Sequence, residues 1–164
     1  MKKSLSILSL FLLSSCGFYS FTGASISPNV KTYSVKYFQN KANTVNASLS
    51  NSFTEKLKDY FSTQTNLQQM DMDGDLSFEG NITSYTIKPI AIKANETARQ
   101  NRLTIKIEVS FINKFDEKLS FNSSFSRYKD FPAEEDLSSV EDIYMEQICD
   151  EIVEDVFNKS VVNW

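Results

Sequence analysis

Between Asn101 and Asn113 the chain alternates without a break: Leu103, Ile105, Ile107, Val109 and Phe111 point one way, and Arg102, Thr104, Lys106, Glu108 and Ser110 the other. A period of two over this length cannot be satisfied by a helix, which would scatter the apolar side chains around its circumference. It specifies a long antiparallel strand with one dry and one wet face, and therefore a sheet covered on one side only. The rest of the chain has to supply that cover.

Two segments do so. Leu49, Phe53, Leu57, Tyr60 and Phe61 recur at three- and four-residue spacing opposite Lys56, Lys58 and Asp59, which predicts an amphipathic helix over about Ala47 to Thr63. Near the C-terminus, Ser138 and Glu141 form a capping-box pattern ahead of a second helix. Its apolar stripe is Ile143, Met145, Ile148, Ile152, Val153, Val156 and Phe157. Further strands are predicted from alternation. Tyr33, Val35 and Tyr37 mark a first strand over Val30 to Phe38, followed by a turn at Asn40 to Asn46. Asn66 to Met70 is a short strand, and Asp73-Gly74 reads as a hairpin turn. Leu76, Phe78, Gly80, Ile82, Tyr85 and Ile87 mark a long strand whose facing changes near Gly80 to Ser84, as a bulge would produce, and Pro89 ends its regular pairing or places it at an edge. Leu119, Phe121 and Phe125 mark a last strand through Arg127, reached by a turn at Asp116-Glu117 and followed by a linker around Pro132.

The order strand, helix, short strand, then three longer strands and a helix calls for a parallel crossover followed by an antiparallel meander. The expected fold is α+β: a two-layer sandwich with two helices on one face of a mixed, mainly antiparallel sheet of four to five strands. A 41% hydrophobic, 13% aromatic composition suffices for one core, and nothing marks a second domain.

The N-terminus decides compartment. Met1-Lys2-Lys3 is a positive leader to the apolar run Leu5 to Leu13, which is too short to span a bilayer. Ser14-Ser15 then precedes Cys16, a pattern similar to the lipobox of bacterial lipoproteins. On that likeness residues 1–15 are a signal peptide, Cys16 is the lipidated first residue, residues 16–29 are a tether and residues 30–164 the folded domain. One acyl chain binds a membrane only at roughly 10⁴ M⁻¹, whereas two or more anchor it stably. The remaining cysteine, Cys149, has no partner for an intramolecular disulfide and sits among Ile148, Ile152 and Val153 as a small core residue.

Several chemistries drop out. The chain has no histidine, which removes Ser-His-Asp and Cys-His catalysis and histidine-ligated zinc. Counting from Asp71, glycine is fourth and Ile82 twelfth, so Asp71-Met72-Asp73-Gly74-Asp75 does not match a calcium loop. No cofactor or metal is expected beyond the N-terminal lipid. A carboxylate-dependent glycan hydrolase could draw on Glu79, Glu108 and Glu117. Charge is segregated: Glu134 to Asp155 holds ten acidic and no basic residues, while the preceding chain holds sixteen Lys/Arg against eleven Asp/Glu. That distribution argues against nucleic acid as a partner.

The segments Cys16-Gly17-Phe18-Tyr19-Ser20-Phe21-Thr22-Gly23, Phe125-Ser126-Arg127-Tyr128-Lys129-Asp130, Leu137-Ser138-Ser139-Val140-Glu141-Asp142 and Val156-Phe157-Asn158-Lys159, in this order and spacing, resemble LptE, the lipopolysaccharide-assembly lipoprotein of Gram-negative outer membranes, in its Bacteroidetes form. The resemblance implies two helices on a mixed sheet and a non-enzymatic role. It implies a lipoprotein that is anchored in the outer membrane, plugs and helps assemble the β-barrel LptD, and binds lipopolysaccharide during its insertion into the outer leaflet. Lipid A phosphates call for basic side chains, and the candidates are Lys93, which precedes a Thr97-Ala98 pair as in relatives, then Arg99, Arg102 and Lys88. The chain departs from the family at Glu134-Glu135-Asp136, where relatives can be basic. The alternative is an autonomous amphiphile-binding lipoprotein without a barrel partner, which needs an apolar cavity.

Overall fold

The computed structural model describes residues 26–44, 46–90 and 99–162. Its elements are β1 (Thr32–Val35), β2 (Gln39–Asn40), α1 (Leu49–Gln64), β3 (Gln68–Met70), β4 (Leu76–Ile90), β5 (Gln100–Asn113), a 3-10 turn (Glu117–Leu119), β6 (Phe121–Pro132) and α2 (Leu137–Val161). They form one mixed sheet in the order β3-β1-β4-β5-β6, with β2 also paired to β4. β1 runs parallel to both β3 and β4, β2 runs parallel to β4, and β4-β5-β6 is an antiparallel meander. The expected two-layer α+β architecture is present, with one short strand more than anticipated.

Register puts Tyr33 and Val35 on the same face as Leu76 and Phe78, then Phe111 and Phe121. Both helices lie against this face. The Tyr33 hydroxyl donates to the Lys58 carbonyl of α1 at 2.9 Å, and Arg127 of β6 meets Asp155 of α2. The core between the layers is aromatic: Tyr33, Phe61, Phe78, Phe111 and Phe121 follow one another with ring centroids 5.5, 4.7, 4.9 and 5.2 Å apart, and Phe157 closes on Phe61 at 5.1 Å. Each such pair adds about 0.5–1.5 kcal/mol beyond its buried area.

Several local expectations are corrected. The first strand stops at Val35, and the chain leaves the ladder before pairing again as β2, so the turn expected at Asn40 begins one residue later. The break changes the phase: Phe38 is fully buried, with its N–H bonded to Thr54 Oγ1, while Tyr37 is 57% exposed. Asp73-Gly74 makes no hairpin, because β3 and β4 flank β1 on opposite sides and both run parallel to it. The link instead steps across β1. Gly74 lies so close that a Cβ there would come within 2.5 Å of the Tyr33 and Ser34 backbone, and Asp73 takes a positive φ of 58° to make the step. Leu119 belongs to the 3-10 turn, and β6 runs on to Pro132 where a linker was expected. Asp136, not Ser138, caps α2 by accepting from the Ser138 N–H at 3.1 Å, since Glu141 is engaged by the Tyr85 hydroxyl and Asn46. Ile143 is 55% exposed: the buried stripe runs from Met145 at three- and four-residue steps, and two residues earlier is the far side of a helix. The bulge in β4 is present between Ile82 and Ser84, and Pro89 remains paired with Asn101 on a stretch with no neighbour on its other side among the described strands.

Candidate functional site

Four carboxylates of the acidic run of α2 are paired with basic side chains of the fold. Lys56 of α1 bonds Glu146 and Asp150 at 2.9 and 2.5 Å, Lys129 of β6 bonds Glu151 at 2.6 Å, and Arg127 forks onto Asp155 at 2.6 Å. Burial raises the Glu146 carboxyl, but Lys56 and Ser52 outweigh it and hold the group below its ordinary value. The Lys56 pairs join α1 to α2, the Lys129 and Arg127 pairs join α2 to the sheet, and the main polar concavity of the molecule lies in another place.

That place is the helix-free face of the sheet. The outward positions of β4, β5 and β6 stand in transverse rows: Glu79, Ser110 and Asn122; Asn81, Glu108 and Ser124; Thr86, Thr104 and Tyr128; Lys88, Arg102 and Asp130. Lys36, just beyond β1, adds an ion pair to Glu79 at 2.6 Å. The lower rows border an open concavity of about 610 Å³ lined by Lys36, Tyr37, Gln39, Glu79, Asn81, Glu108, Ser110, Asn122 and Ser124. Its floor depends on Gly80, where a Cβ would stand 2.0 Å from the Glu108 carbonyl oxygen and 2.6 Å from Phe38 Cε1. Only the missing side chain lets β4 and β5 meet here above Phe38.

The basic candidates sit at the opposite end of this face. Arg102 donates Nε and Nη2 to the two oxygens of Asp130 at 2.6 and 2.8 Å and lies 3.7 Å over the Tyr128 ring. The guanidinium holds the Asp130 carboxyl below its usual range. Arg102 therefore already has a bidentate partner, and a phosphate would have to displace Asp130. Lys88 is exposed in the same row, opposite Arg102, and Arg99 is exposed immediately before β5, its carbonyl accepting from the Ala133 N–H at 2.9 Å. The structure thus gathers Lys88, Arg99 and Arg102 at one end of the meander. Lys93 and the lipidation candidate Cys16 lie outside the described residues.

Glu79 and Glu108 share the concavity, whereas Glu117 is in the 3-10 turn that follows β5 and is not part of the lining. Glu79 is committed to Lys36, and the concavity is open to water. Among the described residues no three His, Cys, Asp or Glu side chains converge to hold a metal ion, and no helix is long and apolar enough to cross a membrane. The residues lining the concavity carry no sequence motif; the alternation of β5 exposed Glu108 and Ser110 as wet positions, but not their neighbours across the sheet.

Solved structures with this architecture include a minor lipoprotein from Acinetobacter baumannii, 12% identical, TM-score 0.53, covering 79% of this chain and 91% of its own. Lipoprotein B from Nitrosomonas europaea is similar at 8% identity and TM-score 0.55, over 86% of each chain. A putative neuraminyllactose-binding hemagglutinin homolog from Helicobacter pylori is similar at 11% identity and TM-score 0.53, over 87% of this chain and 91% of that one. At these identities the likeness is one of fold. No curated protein sequence matches the chain. The family model described as LptE, lipopolysaccharide assembly, matches residues 30–160, which is nearly the whole of the folded domain. The chain belongs to the LptE family of lipopolysaccharide-assembly proteins.

Proposed function

We propose that this protein is an outer-membrane lipoprotein, lipidated at Cys16, that seats inside the barrel of an LptD-type partner and handles lipopolysaccharide on its way to the outer leaflet. The observation that carries the reading is the helix-free sheet face. A free-standing two-layer domain needs only a solvated surface there, but this face couples a concavity of serine, asparagine and glutamate at one end to Lys88 and Arg102 at the other, with Arg99 exposed just before β5. A wide barrel lumen is lined by polar side chains, and a hydrophilic face fits it where a greasy one would not. The cationic end supplies the chemistry that recognises the phosphates of lipid A, through Lys88 and Arg99 and, where phosphate displaces Asp130, through an Arg102 guanidinium laid over the Tyr128 ring. The autonomous carrier reading requires an enclosed apolar cavity, and this concavity is open to water.

The test is gentle detergent extraction of the lipidated chain from its native outer membrane, with identification of what accompanies it. Stoichiometric recovery of a large β-barrel is expected. Recovery of the lipoprotein alone, under conditions that preserve other barrel complexes, overturns the plug reading.

A further inference from the structure

The end of the sheet opposite Lys88 carries a different surface. Met72 in the β3–β4 link, Ile112 on β5, and Phe115 and Leu119 in the β5–β6 connection are 66%, 46%, 53% and 38% exposed. They belong to one end of the molecule because the two loops are tied together: the Lys114 N–H donates to the Asp75 carbonyl at 3.0 Å, and its ammonium to the Asp73 carbonyl at 2.7 Å. The chain enters the domain at this same end. Asp75 accepts from the Lys31 and Thr32 N–H groups at 2.8 and 3.0 Å, and Ile26 is already packed on the core. From Cys16 to Ile26 is ten residues, a reach of at most about 35 Å, whereas β5 alone separates the two ends of the sheet by roughly 45 Å. An anchor at Cys16 therefore presents this end, and not the cationic end, to its membrane.

We infer that Met72, Ile112, Phe115 and Leu119, at the end of the domain that stands outside the barrel, form a docking surface for the zwitterionic phospholipid leaflet that holds the anchor, an inference that rests on the lipidation of Cys16. The charge balance selects the occupant. Lys31, Lys114 and Lys118 at this end face Asp71, Asp73, Asp75, Asp116 and Glu117, so the patch has no cationic excess with which to seek anionic headgroups. Its attraction is apolar, of the kind that sinks side chains about 5–10 Å into the headgroup boundary, and the tether supplies the local concentration that four side chains alone would lack.

The experiment uses the full lipidated protein in phosphatidylcholine–phosphatidylethanolamine vesicles whose lipids carry a bilayer-resident quencher. A fluorophore is attached through Lys118→Cys beside the patch or through Glu134→Cys at the far end, Cys149 being buried. Quenching at position 118 at least about twofold above that at 134, unchanged by salt and by added anionic lipid, is expected for apolar insertion. Introducing Met72→Ser and Phe115→Ser, both at exposed positions, should abolish the difference while far-UV circular dichroism stays the same. Equal quenching at the two positions overturns the inference. So does a label at 118 that is shielded from aqueous quencher without vesicles, which would mean that residues 17–25 or a second copy covers the patch. Mass analysis of the N-terminal peptide stands apart: without acyl mass on Cys16 the anchor reading fails by itself, and the tethered contact with it.

Discussion

At the scale of single residues, the fold turns on positions where one atom more or one charge less has no room. Gly80 is the plainest. Gly80→Ala drives a methyl into the Glu108 carbonyl and Phe38, and is expected to cost about 2–3 kcal/mol or more, read by urea unfolding, with the concavity reshaped. Asp75 acts through charge. Its carboxylate takes the Lys31 N–H and the Thr32 N–H, which lower its pKa in the folded state against a smaller opposing effect of burial. A carboxylate stabilised by folding contributes fully above its unfolded value of 3.8 and loses that contribution as pH falls from there through its lower folded value. Asp75→Asn should thus be less stable at neutral pH and show a shallower loss of stability below about pH 4 than the parent chain. Cys149 is fully buried, and burial pushes its thiol up to about 12. It should resist thiol reagents at pH 8 until the chain is unfolded, and rapid labelling of the native protein would contradict the packing described.

At the scale of elements, periodicity made most of the structure legible before any coordinates. The unbroken alternation of Leu103 to Phe111 and the spacing of Leu49 to Phe61 each specify one element type because neighbouring side chains must share a face. Where that logic failed, the deciding contact was distant in sequence. Asp73-Gly74 carries turn chemistry, but whether a turn closes a hairpin or steps over a strand depends on β1, some forty residues earlier. Ser138 and Glu141 had the spacing of a capping box, yet Glu141 was claimed by Tyr85 on the sheet, and Asp136 took the cap. The acidic run of α2 carries no basic residue of its own, and its partners Lys56, Arg127 and Lys129 come from α1 and β6. Its exposed pairs are individually weak: a double-mutant cycle on Arg127 and Asp155 should give a coupling of about 0.5–1 kcal/mol, diminished by salt. The same inward-pointing Arg127 and Lys129 guard β6, whose outer edge has no neighbour among the described strands, against unplanned strand pairing.

At the scale of the whole molecule, the two ends of the open sheet differ: Lys88 and Arg102, with Arg99 just before β5, stand at one, and the chain entry and an apolar patch at the other. If Arg102 meets phosphate, Arg102→Ala should weaken lipopolysaccharide binding without preventing recovery of a barrel partner, whereas Ser110→Arg in the concavity should do the reverse; co-purification and lipopolysaccharide capture measured on both variants separate the two. The sequence by itself determined the elements, the two-layer α+β plan, the absence of histidine chemistry and the family, because these depend on local period, on composition and on ordered segments read along the chain. Only the tertiary structure decided that Arg102 comes already paired, that Glu79 and Glu108 share a concavity, and that Met72 and Phe115 lie at the end of the sheet where the chain enters. Those facts are set by strand order and register, and register is fixed by which side chains bury together across the sheet, a choice that no single stretch of sequence contains.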